Sequence, residues 1–177
     1  MVLRFIGKQV IPWHHFPKSV MVWARITSMG KTPLVFVERG VKINAQIYQD
    51  RILREVVKLW AQRHFKNHCW TFQQDWAPAH GAQSMMEFCK ANFPTTWGKE
   101  LWPSNLPDLN PMDFSIWGIL ESRACSTKHT TIEGLKKSLQ QAWDTITKNE
   151  LSSIIKNFSK RLRACVAAKG DHFEHLL

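Results

Sequence analysis

The sequence predicts an α/β fold followed by C-terminal helices, and three observations predict it. Two runs rich in β-branched and aromatic residues flank a turn at residues 28–31, and a stretch with apolar residues at three- and four-residue steps comes next. A short strand-like run and a second helical stretch then complete a strand, strand, helix, strand, helix order. With 177 residues, 44% of them hydrophobic, the chain is long enough to bury the core of one domain.

Residues 1–19 mix apolar and basic side chains with Pro12, Pro17, His14 and His15 and read as an irregular lead-in that holds a short strand at residues 2–6. Residues 20–27 and 33–38 form the two arms of a β-hairpin, closed off by Gly40. From residue 44 to about residue 64, Ile47, Tyr48, Ile52, Leu53, Val56, Leu59 and Trp60 mark an amphipathic helix, with Asn44 as its N-cap. Residues 70–75 read as a strand ending in Asp75, followed by the breaker Ala77-Pro78 and a helix over residues 81–92.

Residues 94–111 are rich in loop residues and hold one short strand near residues 100–102. A helix then starts at Asn110-Pro111, with Asn as cap and Pro in the first position, and runs through Ile116, Trp117 and Leu120. Two more helices follow, one on Ile132, Leu135, Leu139, Trp143 and Ile146, the other on Leu151, Ile154, Ile155, Phe158, Leu162 and Cys165. Thr130 and Glu133 fit a capping box for the former, and Gly170 ends the latter. The internal boundary expected from this pattern is the loop at residues 126–129, between a partial α/β core at 20–125 and a C-terminal helical extension of the same domain at 126–177.

The net charge is +10, from 24 Lys and Arg against 14 Asp and Glu, which draws the chain toward polyanions. Residues 123–169 hold ten of the basic and three of the acidic residues, so the excess is concentrated on predicted helices. Lys156, Lys160, Arg161 and Arg163 form the best candidate patch for DNA phosphates; the competing reading is a solvated helix face. Four widely spaced cysteines with no C-x-x-C pattern suit a reducing compartment, and no apolar stretch reaches the ~20 residues that cross a bilayer.

Asp75, at a strand end, and Asp113, in a first helical turn, have 37 residues between them. Converging from two elements, such carboxylates suit hard divalent cations, which prefer oxygen ligands. Taken alone, Asp113 also fits a helix cap with Asn110, and Asp75 a turn opening toward Pro78.

The ordered segments Phe72-Gln-Gln-Asp75-Trp-Ala-Pro-Ala-His80, Trp102-Pro103, Pro107-Asp-Leu-Asn-Pro-Met-Asp113 and Ile116-Trp117 resemble the second and third catalytic-acid segments of mariner-like transposases in the Tc/mariner superfamily. Lys18-Ser-Val-Met-Val-Trp23, Gly40-Val-Lys-Ile-Asn44 and Arg161-Leu-Arg-Ala-Cys-Val-Ala-Ala-Lys-Gly170 are similar to that superfamily too, so the likeness covers about residues 17–177. Departures are Arg25 and Trp76, where the family usually has small residues, and Leu106, where it usually has Ser.

The resemblance implies a ribonuclease-H-like fold of the DDE/D integrase type, with residues 20–125 as part of the catalytic core, and DNA cleavage and strand transfer as its chemistry. It implies Mg²⁺ or Mn²⁺ as cofactor, Asp75 and Asp113 as second and third metal ligands, DNA as partner, a homodimer, and the nucleus as the place of work. His80 belongs to the matched segment, as a DNA-contacting residue or as a packed helix-start residue. In the family the first ligand sits on a strand ahead of the hairpin, yet residues 1–37 contain no Asp or Glu. An N-terminally truncated core lacking that strand, an exposed edge beside the hairpin and impaired cleavage are the expectations; a non-catalytic DNA-binding or dimer-interaction remnant is the alternative. His64, His68 and Cys69 show partial zinc spacing without a matching fourth ligand.

Overall fold

The computed structural model describes residues 2–6, 19–38, 40–41, 43–75, 80–98, 100–102 and 106–177. Trp76 and the Ala77-Pro78 breaker lie outside the described residues, as do Pro12, Pro17, His14 and His15. Contacts divide the chain into two compact units, a first spanning Gly40–Leu106 and a second that joins Val2–Arg39 to Pro107–Leu177.

Five strands open the second unit: β1 (Val2–Ile6), β2 (Ser19–Trp23), β3 (Ile26–Thr27), β4 (Gly30–Lys31) and β5 (Val35–Val37). The expected hairpin is present in two stages, with β2 and β5 antiparallel in the register Met21↔Val37 to Trp23↔Val35 and β3 and β4 antiparallel at the tip. Between the stages Arg25 and Thr32 exchange bonds, the Arg25 N–H donating to Thr32 Oγ1 and the Thr32 N–H to the Arg25 carbonyl, both at 2.9 Å. The returning arm carries one residue more than the outgoing arm there, including Pro33, and such an insertion bends a strand pair. The edge of β2 expected to lie exposed is covered instead, because β1 pairs with it antiparallel from Val2↔Trp23 to Ile6↔Ser19. The apolar, strand-favouring Val2-Leu-Arg-Phe-Ile6 run suits that pairing, and no carboxylate lies on it.

In the first unit, helix α1 covers residues 45–65 as Ala45–Ile47, a wider-wound Tyr48–Lys58 and Leu59–Phe65. Asn44 caps it as expected, its Oδ1 accepting from the Ile47 N–H at 2.8 Å. The buried stripe runs through Tyr48, Ile52, Leu53, Val57 and Ala61, and Leu59 is left 46% exposed. Widened winding shifts which residues share a face, so even 3.6 spacing misjudged Leu59.

Strand β6 (Thr71–Phe72), helix α2 (Gln83–Asn92) and strand β7 (Thr95–Thr96) form a parallel crossover with Thr71 opposite Thr95 and Phe72 opposite Thr96. The strand expected at residues 100–102 is thus displaced to Thr95–Thr96: the N–H groups of Leu101 and Trp102 both turn back onto the Gly98 carbonyl at 3.1 Å. Aromatic rings fill this unit, with Phe93 4.7 Å from Phe72, 5.2 Å from Trp70 and edge-on to Phe88.

The second unit resumes with the short helical turn Pro107–Leu109 and continues into helix α3, residues 112–124, built of a wider-wound Met112–Ile116 and Trp117–Ala124. Helix α4 (Ile132–Thr145) packs on β2 and on α3, and helix α5 (Lys148–Ala167) lies against β3 and the Pro107–Leu109 turn. Helices on both sides of the 126–129 loop therefore belong to one unit.

Two caps differ from expectation. Thr131, one residue later than predicted, caps α4 by accepting from the Gly134 N–H at 3.0 Å, and glycine has no side chain to reciprocate. The full capping box is at α5, where Thr147 Oγ1 accepts from the Glu150 N–H at 3.2 Å and Glu150 Oε2 accepts from the Thr147 N–H at 2.7 Å. Gly170, at φ +85°, lets its N–H return to the Cys165 carbonyl at 2.9 Å and ends α5.

Lys31 ties the sheet to α4. Its Nζ donates to the Trp143 carbonyl and, at 2.7 Å, to the Ile146 carbonyl, while Trp143 Nε1 donates to the Thr32 carbonyl at 2.9 Å. The four cysteines are free thiols, and no described helix is long and apolar enough to cross a membrane.

Candidate functional site

Asp75 lies three residues beyond the end of β6, outside any regular element. Its Oδ1 is hydrogen-bonded to Nδ1 of His80. A deprotonated carboxylate only accepts, so Nδ1 carries the hydrogen in this pair. His80 is 3% exposed, and its ring lies 4.1 Å from that of Tyr48, at 35°, on the buried face of α1. Gln74, also buried, donates from Nε2 to the His80 carbonyl at 3.2 Å. Residues 74 and 75 therefore grip residue 80 twice, through its backbone and through its ring. Of the two readings the sequence offered for His80, DNA contact or a packed residue at a helix start, the structure shows its imidazole buried and bonded to the Asp75 carboxylate.

Asp113 sits in the first turn of α3. Asn110 Oδ1 accepts from the Met112 N–H at 3.2 Å, and Asn110 Nδ2 donates to Asp113 Oδ2 at 2.7 Å. The Asp113 N–H donates to the Asn110 carbonyl at 2.8 Å. Asn110 is thus the cap the sequence predicted and at the same time the donor that orients the acid. An acid in a first turn also meets the positive end of the helix dipole.

Each acid is an oxygen donor steadied by one N–H donor, the kind of outer support that orients metal-ligating carboxylates. That donor chemistry fits a hard cation such as Mg²⁺ or Mn²⁺. Among the described residues no three His, Cys, Asp or Glu side chains converge as a metal cluster. His64 is stacked on Trp60 at 4.4 Å, and His68 Nδ1 lies 2.9 Å from the Phe65 carbonyl.

The four basic residues proposed for DNA separate into two groups. Lys156, Lys160 and Arg163 are exposed on α5. Arg161 is turned inward: it donates from Nη1 to the Asp108 carbonyl at 2.9 Å, its guanidinium lies 4.4 Å over the Phe114 ring, and it pairs with Glu174 at 3.8 Å. Sequence reasoning missed Gln74 and Tyr48 as supports of Asp75. Tyr48 was legible as a core position of α1, but nothing local pointed it at His80.

No family model matches the chain. The Tc3 transposase of Caenorhabditis elegans is 31% identical over 155 residues, covering 86% of this chain and 45% of that protein. The Tcb1 transposase of Caenorhabditis briggsae is 26% identical over 175 residues, covering 96% of this chain and 61% of that protein. The chain thus spans about half the length of the curated relatives it matches. Among solved structures, the catalytic domain of Mos1 mariner transposase superposes with a TM-score of 0.77 at 22% identity, over 92% of this chain and 80% of that one. A Mos1 mariner paired-end complex with Mn superposes at 0.82 and 20% identity, over 98% and 55%.

The fold is the ribonuclease-H-like α/β fold of transposase catalytic domains, with helices at its C-terminal end. The relatives of the chain are transposases of the Tc1/mariner family, and the matched stretch is consistent with the C-terminal part of a transposase catalytic domain.

Proposed function

We propose that the chain contributes to metal-dependent DNA cleavage and strand transfer, with Asp75 and Asp113 as the second and third metal-binding carboxylates. What supports this reading above all is that the two acids at the matched positions are each held by a dedicated N–H donor, His80 for one and Asn110 for the other. When bound, Mg²⁺ or Mn²⁺ would supply Lewis-acid stabilisation of charge on the scissile phosphate. The chain's own part is to hold the two carboxylates in fixed orientation and to attract the DNA backbone through Lys156, Lys160 and Arg163. One Mos1 structure is a paired-end complex with the left transposon end and another is a strand transfer complex, which supports DNA as partner and pairing of two copies. The nucleus is the corresponding location.

With no acid in residues 1–37, the polypeptide assayed by itself should cleave poorly, because two carboxylates cannot position both ions for in-line displacement. The exposed basic side chains of α5 favour a second reading, a DNA-binding or dimer-interaction module without catalysis. Calorimetric titration with Mn²⁺, paired with nicking of supercoiled DNA, separates the two. Asp75→Asn and Asp113→Asn should each weaken Mn²⁺ binding about tenfold or more. Unchanged Mn²⁺ binding in both variants, with DNA binding intact, would leave the non-catalytic reading standing.

A further inference from the structure

We infer that Arg161 is a positioning residue for Asp113 rather than a DNA-phosphate ligand; the inference rests on the reading of Asp113 as a metal ligand. Successive residues on a helix are about 100° apart, so Arg161 cannot share the face of Lys160. Its side chain is 17% exposed, its guanidinium carbon lies 4.4 Å from the centre of the Phe114 ring, and it donates to the Asp108 carbonyl at 2.9 Å.

Those two contacts fall on either side of Asp113 in sequence. Phe114 is its immediate neighbour, and Asp108 lies in the Pro107–Leu109 turn that leads into the cap. From that turn the connection is continuous: the Asn110 N–H donates to the Pro107 carbonyl at 3.0 Å, and the Asn110 side chain donates to Asp113 at 2.7 Å. Arg161 therefore pins both the turn and the first helical residues between which the carboxylate is presented. Glu174, 3.8 Å from the guanidinium on its C-terminal side, helps to hold the cation in place, and the buried Phe173 anchors that segment.

A planar guanidinium can stack on a ring and donate sideways at the same time, whereas an ammonium cannot reproduce that pair of contacts. Arg161→Lys keeps the charge and removes the geometry, which makes it the informative variant; Arg161→Gln removes both. Lys160→Gln and Arg163→Gln serve as surface comparisons.

Three measurements on the 177-residue chain test the inference. In amide hydrogen exchange, Arg161→Lys should speed exchange at Met112, Asp113 and Phe114 at least tenfold while leaving α4 unchanged. In Mn²⁺ titration it should weaken affinity by roughly tenfold, the scale of losing an outer support, with a melting temperature close to wild type. In duplex DNA binding against salt, Arg163→Gln should flatten the log–log slope by about 0.9, the value of one phosphate contact, and Arg161→Gln should not. Unaltered exchange at residues 112–114 in Arg161→Lys, or a slope change in Arg161→Gln matching that of Arg163→Gln, overturns the assignment. Faster exchange at residues 112–114 in a chain whose Mn²⁺ binding ignores Asp113→Asn would instead keep Arg161 as the support of that turn and remove the metal reading of Asp113.

Discussion

In the first unit Asp75 is gripped by a buried ring, whereas in the second Asp113 is held by the amide of its own helix cap. The imidazole of His80 is enclosed by Tyr48 and anchored through its backbone by Gln74, so the orientation of Asp75 depends on packing contributed from α1. Asn110 lies three residues from Asp113, and helix geometry alone brings the two together. One carboxylate is thus set by tertiary packing and the other by local backbone structure, and their losses should differ in size and in reach.

The largest difference is expected between His80→Ala and Asn110→Ala. Removing a buried imidazole leaves a cavity under Tyr48 and deprives Asp75 of its donor, which should cost about 2–4 kcal/mol. Removing the Asn110 side chain deletes a cap and should cost about 1 kcal/mol. Urea unfolding gives the totals, and hydrogen exchange gives the location: His80→Ala should loosen α1 and the 71–75 segment, Asn110→Ala only the start of α3. Equal costs, or loosening that reaches α1 from Asn110→Ala, would erase the distinction.

The same contrast explains what could be read from the sequence. The helix–strand order, the hairpin and the caps at Asn44 and Asn110 rest on neighbours within a few residues, and the structure reproduces them. The Asp75-to-His80 spacing was visible as a motif, but the inward direction of the ring depends on Tyr48, more than thirty residues upstream. Arg161 was grouped with Lys160 and Arg163 by charge, although helical rotation already separated them; Phe114 and Asp108, which claim it, lie some fifty residues earlier. Strand β7 escaped notice because two threonines are too short a run to show alternation. The pairing of β1 with β2 was equally hidden, since strand partners are set by the register of distant segments.

A smaller effect separates the two helix caps of the second unit. Thr147 takes part in a reciprocal box whereas Thr131 makes a single bond, so Thr147→Ala should cost about 1 kcal/mol and Thr131→Ala roughly half of that. Thermal melts of the two variants, with Glu150→Gln alongside, check the order. Glu150→Gln keeps an oxygen that accepts from the Thr147 N–H, so it should cost less than Thr147→Ala, and their combined variant should be no worse than Thr147→Ala plus a few tenths of a kcal/mol.

The finest test of this local kind is acidity. The Thr147 N–H holds the Glu150 carboxyl down to about 2, helped by the Arg123 guanidinium and the Thr147 hydroxyl. Arg123 comes from α3 and also donates to Thr145 Oγ1 at 3.1 Å, so one guanidinium joins the ends of three helices. A carboxyl whose folded value lies below its ordinary 4.5 stabilises the fold fully above that pH, and the contribution disappears as pH falls toward about 2. Between those limits the melting temperature of the wild type should therefore fall more steeply than that of Glu150→Gln, with the two slopes alike above pH 5. Because the pair is partly solvent-exposed, salt should shrink the Arg123 share of this difference and leave the share from the Thr147 N–H. Parallel slopes from pH 5 to pH 2 would mean that the cap is already open in the native state.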